Sequence, residues 1–169
     1  MDPKWVKYLA QAGDLVVGGG VLTWDNNNRG NAMLVQTDLP IGDWEFTTKI
    51  TTLRNYYDGL AVTSTDGSKA LVTLYIDGGT TALIQRLTNA SPSSNSPSWA
   101  IAQVAPLWAR VGKVGEDIIF SDSLDGVTFT TRHTEAISNH LGSATQVGLY
   151  SAKSLTSATA QYDWFRKTQ

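Results

Sequence analysis

The fold is decided by an alternating stretch, Asp43-Trp44-Glu45-Phe46-Thr47-Thr48-Lys49-Ile50. Successive side chains of an extended strand point to opposite faces of the sheet. One face of this stretch is mostly apolar and the other is polar and charged: Trp44, Phe46, Thr48 and Ile50 against Asp43, Glu45, Thr47 and Lys49. The stretch therefore predicts a half-buried strand in a sheet that covers a core.

Similar short segments recur along the chain. Further strands are predicted at about Leu15–Trp24, Ala32–Gln36, Gly59–Ser64, Lys69–Ile76, Thr81–Arg86, Leu107–Val114, Asp117–Ser123, Thr128–His133, Gln146–Ser151 and Ala158–Phe165. Glycine supplies the positive φ that hairpin turns require, and it occurs between strands in Asp66-Gly67, Asp77-Gly78-Gly79, Val114-Gly115-Glu116 and Asp125-Gly126. Many short strands without intervening helical periodicity predict an all-β sandwich or barrel.

Three segments depart from the strand pattern. Residues 1–13 form an N-terminal segment in which Asp2-Pro3 is typical of a helix start and Gly13 of a helix end, so a short helix is predicted there. Residues Glu135–Leu141 predict one further helical turn or two. The Ser/Pro-rich stretch Ser91–Ser98 predicts an exposed loop within one domain, because strand patterns continue after it.

The composition limits the classes of function. A chain of 169 residues without cysteine can bury a core without disulfides, and it has no thiolate metal site. We expect one main domain over residues 14–169. The 13 basic and 15 acidic residues leave a net charge of -2 without a basic cluster, so nucleic acid is not an expected partner. Membrane insertion is not expected either, since no apolar run reaches roughly 18–20 residues.

The location of the protein stays open at this level. Residues Met1 to Ala12 lack the uninterrupted apolar stretch of a signal peptide. The protein is therefore expected to be extracellular if a leader was removed, and virion-associated or cytoplasmic otherwise.

Three segments together resemble the concanavalin A-like domain at the C-terminus of many β-xylosidases, within the concanavalin A-like lectin/glucanase superfamily. They are Asn31–Gln36 with Leu39–Lys49, then Asn55–Val62, and finally Leu107–Val111 with Ser121–Gly126, Val147–Tyr150 and Tyr162–Phe165. The order and spacing match over about residues 14–166. The resemblance implies two antiparallel sheets packed as a jelly roll. This architecture serves lectins, carbohydrate-binding modules, glycosidases and virus proteins, so function has to be argued from a site.

Catalytic carboxylates are the first kind of site to consider. Retaining glycosidases need an acid and a nucleophile roughly 5–5.5 Å apart, and in this architecture they are usually carboxylates on one strand. The chain has three glutamates, Glu45, Glu116 and Glu135, far apart in sequence. Asp43 and Glu45 share a strand face that continues as polar residues, which predicts a solvated outer face. We therefore expect a chain that is not an enzyme.

A loop with partial calcium-binding character follows Trp24. Asp25 and Asn27 stand at positions 1 and 3 of a calcium loop, with Gly30 at position 6. The pattern fails at position 5, Arg29, and at position 12, where Gln36 replaces glutamate. A polar loop between strands is the alternative interpretation. A structural Ca²⁺ at Asp25 and Asn27 stays open, and no other cofactor is expected.

Aromatic residues give the richest signal, with six tryptophans and six tyrosines. Aromatic rings flanked by polar groups suit the flat C–H faces of sugars. Many of the rings are nevertheless expected in the core, because sandwich cores favour them. The rings assigned to packing are Trp44, Phe46, Trp108 and Trp164, and Trp5 is expected to hold the N-terminal segment against a sheet.

The remaining aromatics lie in predicted loops beside amide, carboxylate and guanidinium groups. The predicted ligand-binding residues are Trp24, Arg54, Tyr56, Tyr57, Asp58 and Trp99. The function that follows is a non-catalytic β-sandwich recognition module that is expected to bind glycans, with a protein surface as the other possible partner. The alternative is a virion structural protein, such as a phage capsid decoration or tail component, which uses the same fold to form a homo-oligomer or to join an assembly partner.

Overall fold

A computed structural model of the chain describes residues 5–8, 15–24, 32–53, 57–76, 78–152 and 159–167, without the side chains of residues 95, 96 and 164. The strands are β1 (Trp5–Tyr8), β2 (Leu15–Gly18), β3 (Val21–Trp24), β4 (Ala32–Gln36), β5 (Trp44–Thr52), β6 (Asp58–Thr63), β7 (Lys69–Leu74), β8 (Thr81–Thr88), β9 (Ser91–Ala100), β10 (Leu107–Val114), β11 (Asp117–Ser123), β12 (Thr130–Ala136), β13 (Gln146–Ser151) and β14 (Ala160–Lys167). One helical turn, α1 (Ile137–His140), follows β12 within the predicted helical segment.

The strands form two antiparallel sheets of seven strands each within the described residues. The first sheet has the order β1-β4-β13-β6-β7-β8-β9, and the second has the order β12-β11-β10-β5-β14-β3-β2. The predicted all-β, two-sheet antiparallel fold is therefore confirmed. No helix in the described parts of the chain is long and apolar enough to cross a membrane.

The core lies between the sheets, and β5 shows how the sequence places it. Trp44, Phe46 and Ile50 are buried, as the alternation predicts. On the neighbouring strand β10, Leu107 pairs with Ile50 and Val111 with Phe46, and both are buried on the same face. The inner faces of the two sheets thus supply one continuous apolar layer.

Trp108 is a correction, because it does not belong to the core. It pairs with Lys49 on the outer face of the second sheet, and the Lys49 Nζ atom lies 5.6 Å from the centre of its ring. Its two strand neighbours, Leu107 and Ala109, take the inner face. Adjacent strand residues alternate in direction, so Trp108 has to face outward. The Trp164 side chain is outside the described residues.

The N-terminal segment is a second correction. Trp5–Tyr8 form an edge strand rather than part of a short helix, and they pair with Met33–Gln36 of β4. A short helix is marginal on its own, whereas the sheet edge supplies hydrogen-bond partners. Trp5 also packs edge-on against Phe165 with ring centres 5.7 Å apart, which agrees with the expected contact to a sheet.

The Ser/Pro-rich segment is a third correction. It lies within β9, an edge strand of the first sheet, rather than in a loop. Proline lacks an N–H group, so it fits strands whose outer side has no partner. Pro92 and Pro97 are therefore compatible with an edge strand, and they do not end the sheet.

The connections between sheets bring several loops to one end of the sandwich. At this end β3, β5, β9 and β11 finish and β4, β6, β10 and β12 begin, as the strand registers show. We call it the loop end. Trp24, Tyr57, Asp58 and Trp99 of the predicted ligand-binding residues lie at or beside strand ends here.

We expect Trp44→Ala to lower the free energy of unfolding by about 3–5 kcal/mol, because it removes a large buried ring. Trp108→Ala should cost clearly less, since the Trp108 ring is partly exposed. Urea denaturation of both variants measures the difference. Equal losses would contradict the placement of Trp108 on the outer face.

Candidate functional site

The loop end brings together the described members of the predicted ligand set. Trp24 ends β3, Tyr57 and Asp58 stand at the start of β6, and Trp99 lies near the end of β9. Arg54 and Tyr56 lie outside the described residues, as do Asp25 and Asn27 of the predicted calcium loop. The described residues contain no group of three or more His, Cys, Asp or Glu side chains suited to a metal ion.

Burial separates these residues. Trp24 and Asp58 are 0% exposed, whereas Tyr57 is 37% exposed. Trp24 was expected to offer a stacking face and instead belongs to the core, because its position at the end of β3 points between the sheets. Its indole N–H has no hydrogen-bond partner in the described structure. Of these residues, only Tyr57 is exposed enough for direct stacking, and Trp99 is half-buried.

Trp99 leads to a buried cluster that the sequence did not reveal. Its Nε1 donates a hydrogen bond to Asp122 Oδ2 at 2.7 Å, and the Tyr75 hydroxyl donates to the same oxygen at 3.5 Å. The other carboxylate oxygen, Oδ1, accepts from Arg132 Nε at 2.7 Å. The Asp122 side chain is 0% exposed. A buried carboxylate is thus satisfied by three donors from both sheets.

A β-bulge places Arg132 in this cluster. Phe120 of β11 pairs with His133, but the next residue, Ser121, pairs with Thr131, so Arg132 is an extra residue in β12. A bulge of this kind re-aims a side chain relative to the regular alternation. The guanidinium can therefore reach inward to Asp122 from an edge strand.

The electrostatics of the cluster keep the Tyr75 hydroxyl protonated. Burial, followed by the negative charge of Asp122, raises the pKa of Tyr75 well above 10.0. The phenol therefore keeps its proton over the ordinary pH range and remains a donor to Asp122. Since Arg132 is always charged, the Asp122 carboxylate has a permanent counterion at 2.7 Å.

A pocket of about 310 Å³ opens beside the cluster at the loop end. Arg132 and Asp122 line it with Ile101, Ser123, Leu124, Asp125, Thr128 and Thr130. The Arg132 side chain is 22% exposed, and among the described residues its one hydrogen bond is made through Nε. The pocket combines a fixed guanidinium with hydroxyl groups and the apolar side chains of Ile101 and Leu124.

Asp125 organises one wall of the pocket. Its Oδ1 accepts from the backbone N–H groups of Thr128 and Val127, each at 2.8 Å, and from the Ser123 hydroxyl at 2.7 Å. These bonds, with Thr128 contributing most, lower the pKa of Asp125 from 3.8 to about 2. The wall thus carries an ionised carboxylate whose hydrogen bonds hold the turn.

A second buried carboxylate joins the sheets on the same side of the sandwich. Glu135 of β12 accepts from Arg86 Nε of β8 at 2.9 Å. Its other oxygen lies 2.9 Å from His133 Nε2. Glu135 is only 3% exposed, so it supports the position of β12 rather than offering a catalytic group to solvent.

The acidic side chains on the outer face of β5 and just before it make hydrogen bonds and ion pairs. Glu45 Oε1 lies 3.3 Å from Arg110 Nε, and Asp43 Oδ1 accepts from the Gly115 N–H at 2.8 Å. Thr47, on the same face, is only 2% exposed. The expected solvated face is therefore a set of paired polar groups.

The buried position of Asp122 could have been predicted from the alternation of inward and outward residues along β11. Ile118, Phe120 and Asp122 are spaced by two residues, so they share the core-facing side of β11. A carboxylate on a core face has to find partners, which marks it as a structural or functional centre. No local sequence pattern predicts the position of Arg132, because the bulge that directs its side chain depends on the pairing of β12 with β11.

We expect Asp122→Ala to destabilise the protein by about 3–5 kcal/mol, because it leaves the Arg132 guanidinium, the Trp99 indole N–H and the buried Tyr75 hydroxyl without their shared acceptor. Asp117→Ala, on the same strand but exposed, should change stability by less than about 0.5 kcal/mol. Chemical denaturation measures both. A near-neutral Asp122 variant would show that the cluster is not buried as described.

The Asp125 carboxyl is expected to titrate with a midpoint near pH 2, since its pKa is lowered to about 2. A lowered pKa stabilises the folded turn above about pH 4, and this contribution is lost as the pH falls through 2. Ser123→Ala removes one donor and should raise the midpoint toward 3.8. Carbon-detected NMR titration follows the carboxyl directly, and an unchanged midpoint in the variant would contradict the described bonds.

Comparison with known proteins places the fold. No protein-family model and no curated protein sequence matches the chain. Carbohydrate binding module CBM66 from Bacillus subtilis superposes with a TM-score of 0.65 and 13% identity, over 97% of this chain and 94% of that one. The VIP36 exoplasmic/lumenal domain, in a Ca²⁺/Man3GlcNAc-bound form, gives a TM-score of 0.67 and 11% identity over 100% of this chain and 85% of that one.

A larger protein contains a similar unit. The Bacteroides ovatus protein Xyloglucan PUL GH43B matches 99% of this chain with a TM-score of 0.72 and 12% identity, yet the match covers only 37% of that protein. The present chain thus spans little more than a third of its length. Identities this low establish architecture and not activity. The chain therefore has the jelly-roll sandwich fold of the concanavalin A-like proteins.

Proposed function

We propose that the chain is a non-catalytic glycan-binding module whose primary site is the loop-end pocket beside Asp122 and Arg132. The observation that carries this proposal is the partly exposed Arg132 guanidinium, which is fixed through Nε by a buried carboxylate and lines a pocket of about 310 Å³. Such a donor is oriented before any ligand arrives, so little conformational entropy is lost on binding.

The pocket chemistry suits a sugar ring. Sugar hydroxyls both donate and accept, and the terminal nitrogens of Arg132 and the Thr130 hydroxyl are positioned to meet them. Ile101 and Leu124 supply apolar surface for the C–H face, and Leu124 is 53% exposed. A few convergent polar groups on an apolar wall are typical of small-ligand sites.

The predicted aromatic contacts take different roles in this proposal. Trp99 acts through its N–H bond to Asp122 and thereby positions Arg132. Tyr57 and Tyr56 stay proposed stacking residues, and Arg54 stays a proposed ligand-binding residue; Arg54 and Tyr56 lie outside the described residues. Trp24 and Asp58 support the loop end from within, since both are fully buried. A Ca²⁺ site at Asp25 and Asn27 stays a prediction.

The folds named above support the proposal without deciding it. One is described as a carbohydrate binding module and another was solved with Man3GlcNAc. Two further expectations stay predictions: that the chain is not an enzyme, and the alternative in which it is a virion structural protein. The described residues contain no contact that favours assembly over glycan binding.

We expect the protein to bind a defined oligosaccharide on a glycan array. Thr130→Val removes one hydroxyl and should weaken that binding by about three- to tenfold, the value of one hydrogen bond. Thr88→Val is the matched control, because Thr88 is exposed near the opposite end of the sandwich. Isothermal titration calorimetry with the array-selected sugar measures both.

The same samples separate the rival function. Size-exclusion chromatography with light scattering reports the oligomeric state alongside the array. A silent array with a stable closed oligomer would support the assembly alternative and exclude the proposal. Equal weakening in Thr130→Val and Thr88→Val would show that the sugar binds elsewhere.

A further inference from the structure

A second cavity, distinct from the loop-end pocket, lies on the outer face of the second sheet. Its volume is about 370 Å³, and it is bordered by β5, β10 and β11 and by the segment before β12. We call it the outer groove. Arg110, Glu45 and Phe129 form its walls, and Gly112 and Ser121 lie on its floor.

Arg110 is held in the outer groove on three sides. Its Cζ atom lies 3.5 Å from the centre of the Phe129 ring. Its Nε lies 3.3 Å from both Glu45 Oε1 and Thr47 Oγ1. Stacking on an aromatic ring and a fixed Nε define the plane of a guanidinium. The Arg110 side chain is 29% exposed and lines the groove, so the described contacts orient its guanidinium beside the open space.

Small side chains keep the floor of the groove open. Gly112 pairs with Glu45 on one side and Ile119 on the other. A Cβ atom there would lie 3.2 Å from the Trp44 carbonyl oxygen and 3.7 Å from Glu45 Cγ, so it would fill the space between the strands. A glycine inside a strand weakens it and often marks a close approach by a ligand. The hydroxyls of Ser121 and Thr131 also border the space, and no hydrogen bond of either is found in the described structure.

The charges of the groove indicate the chemistry of its ligand. Its ionic side chains are two cations and two anions, namely Arg110, Lys113, Asp43 and Glu45. Their sum is zero, so an acidic chain would gain no net attraction and would place its charges beside two carboxylates. Carboxylates and guanidinium groups side by side instead accept from and donate to the hydroxyls of a neutral sugar.

The outer groove and the loop-end pocket are close neighbours on the chain. Thr130 lines the pocket and Thr131 lines the groove, because consecutive strand residues point to opposite faces. The segment from Leu124 to Phe129 contributes Leu124, Asp125 and Thr128 to the pocket and Phe129 to the groove. One extended ligand could therefore contact both sites around this segment, and joined contacts bind more tightly than either alone.

We propose that the outer groove is a second saccharide site, which takes the interior of a neutral polysaccharide chain. This inference rests on the proposed glycan-binding function, but it uses residues that the loop-end pocket does not. It expects polymers to bind more tightly than short oligosaccharides, because only a long ligand can occupy both sites.

Affinity electrophoresis of the full chain tests the inference in gels containing arabinoxylan, xyloglucan, glucomannan or levan, with polygalacturonate as the acidic comparison. Ser121→Leu and Thr131→Leu each place a bulky side chain in the groove. Thr134→Leu is the matched control, because Thr134 is exposed on the same strand as Thr131 and does not border the groove. Thermal denaturation confirms that each variant is folded, and the exposed Thr131 position keeps the test usable if Ser121→Leu does not fold.

We expect one neutral polymer to retard the protein, and both groove variants to weaken that retention at least tenfold while Thr134→Leu retains it. Loss of retention in Thr130→Val alone would overturn the assignment of the groove as a saccharide site, and it would leave the proposed function supported. Loss in the groove variants alone would support the groove and move the function away from the pocket. Retention by polygalacturonate alone would contradict a neutral ligand. Retention by no polymer would overturn the inference.

Discussion

The Asp122 carboxylate is the constraint on which the loop end depends. An ionised group without exposure to water is costly unless donors surround it, and its donors come from both sheets. Trp99 and Tyr75 approach from the first sheet, whereas Arg132 belongs to the second. The two layers are therefore fixed relative to each other at this point. An apolar core alone is less directional, because burial of apolar surface does not specify geometry.

Glu135 repeats this arrangement nearer the other end of β12. Its bond to Arg86 also crosses between the sheets, and its own exposure is as low as that of a core residue. An edge strand usually frays, since it is paired on one side. Two buried charges instead hold β12 at both of its ends. That rigidity matters for recognition, because both the loop-end pocket and the outer groove use side chains from this strand or from the turn before it.

Period-two alternation was sufficient to predict the sandwich and the core face of β5, because hydrophobic burial acts on each strand independently. Alternation did not predict the structure where the pairing of neighbouring strands determines it. The β9 strand contains two prolines, and only the neighbouring β8 edge makes it a strand. Trp108 was assigned inward by resemblance, although the alternation around Leu107 and Ala109 placed it outward. The site was harder to predict, because Arg132 acts through a register shift that no local sequence pattern specifies.

The bulge in β12 makes segment length, rather than residue identity, a determinant of specificity. If Thr131 were lost, the bulge would disappear: Arg132 would pair with Ser121 and turn toward solvent, while Thr130 would stay opposite Asp122. A loss of one residue would thus remove the counterion of a buried carboxylate while every remaining amino acid stayed the same. Single-residue insertions and deletions in this segment can therefore move one arginine side chain between the core-facing and outer sides of β12, while Thr130 and the Glu135 contact stay in place.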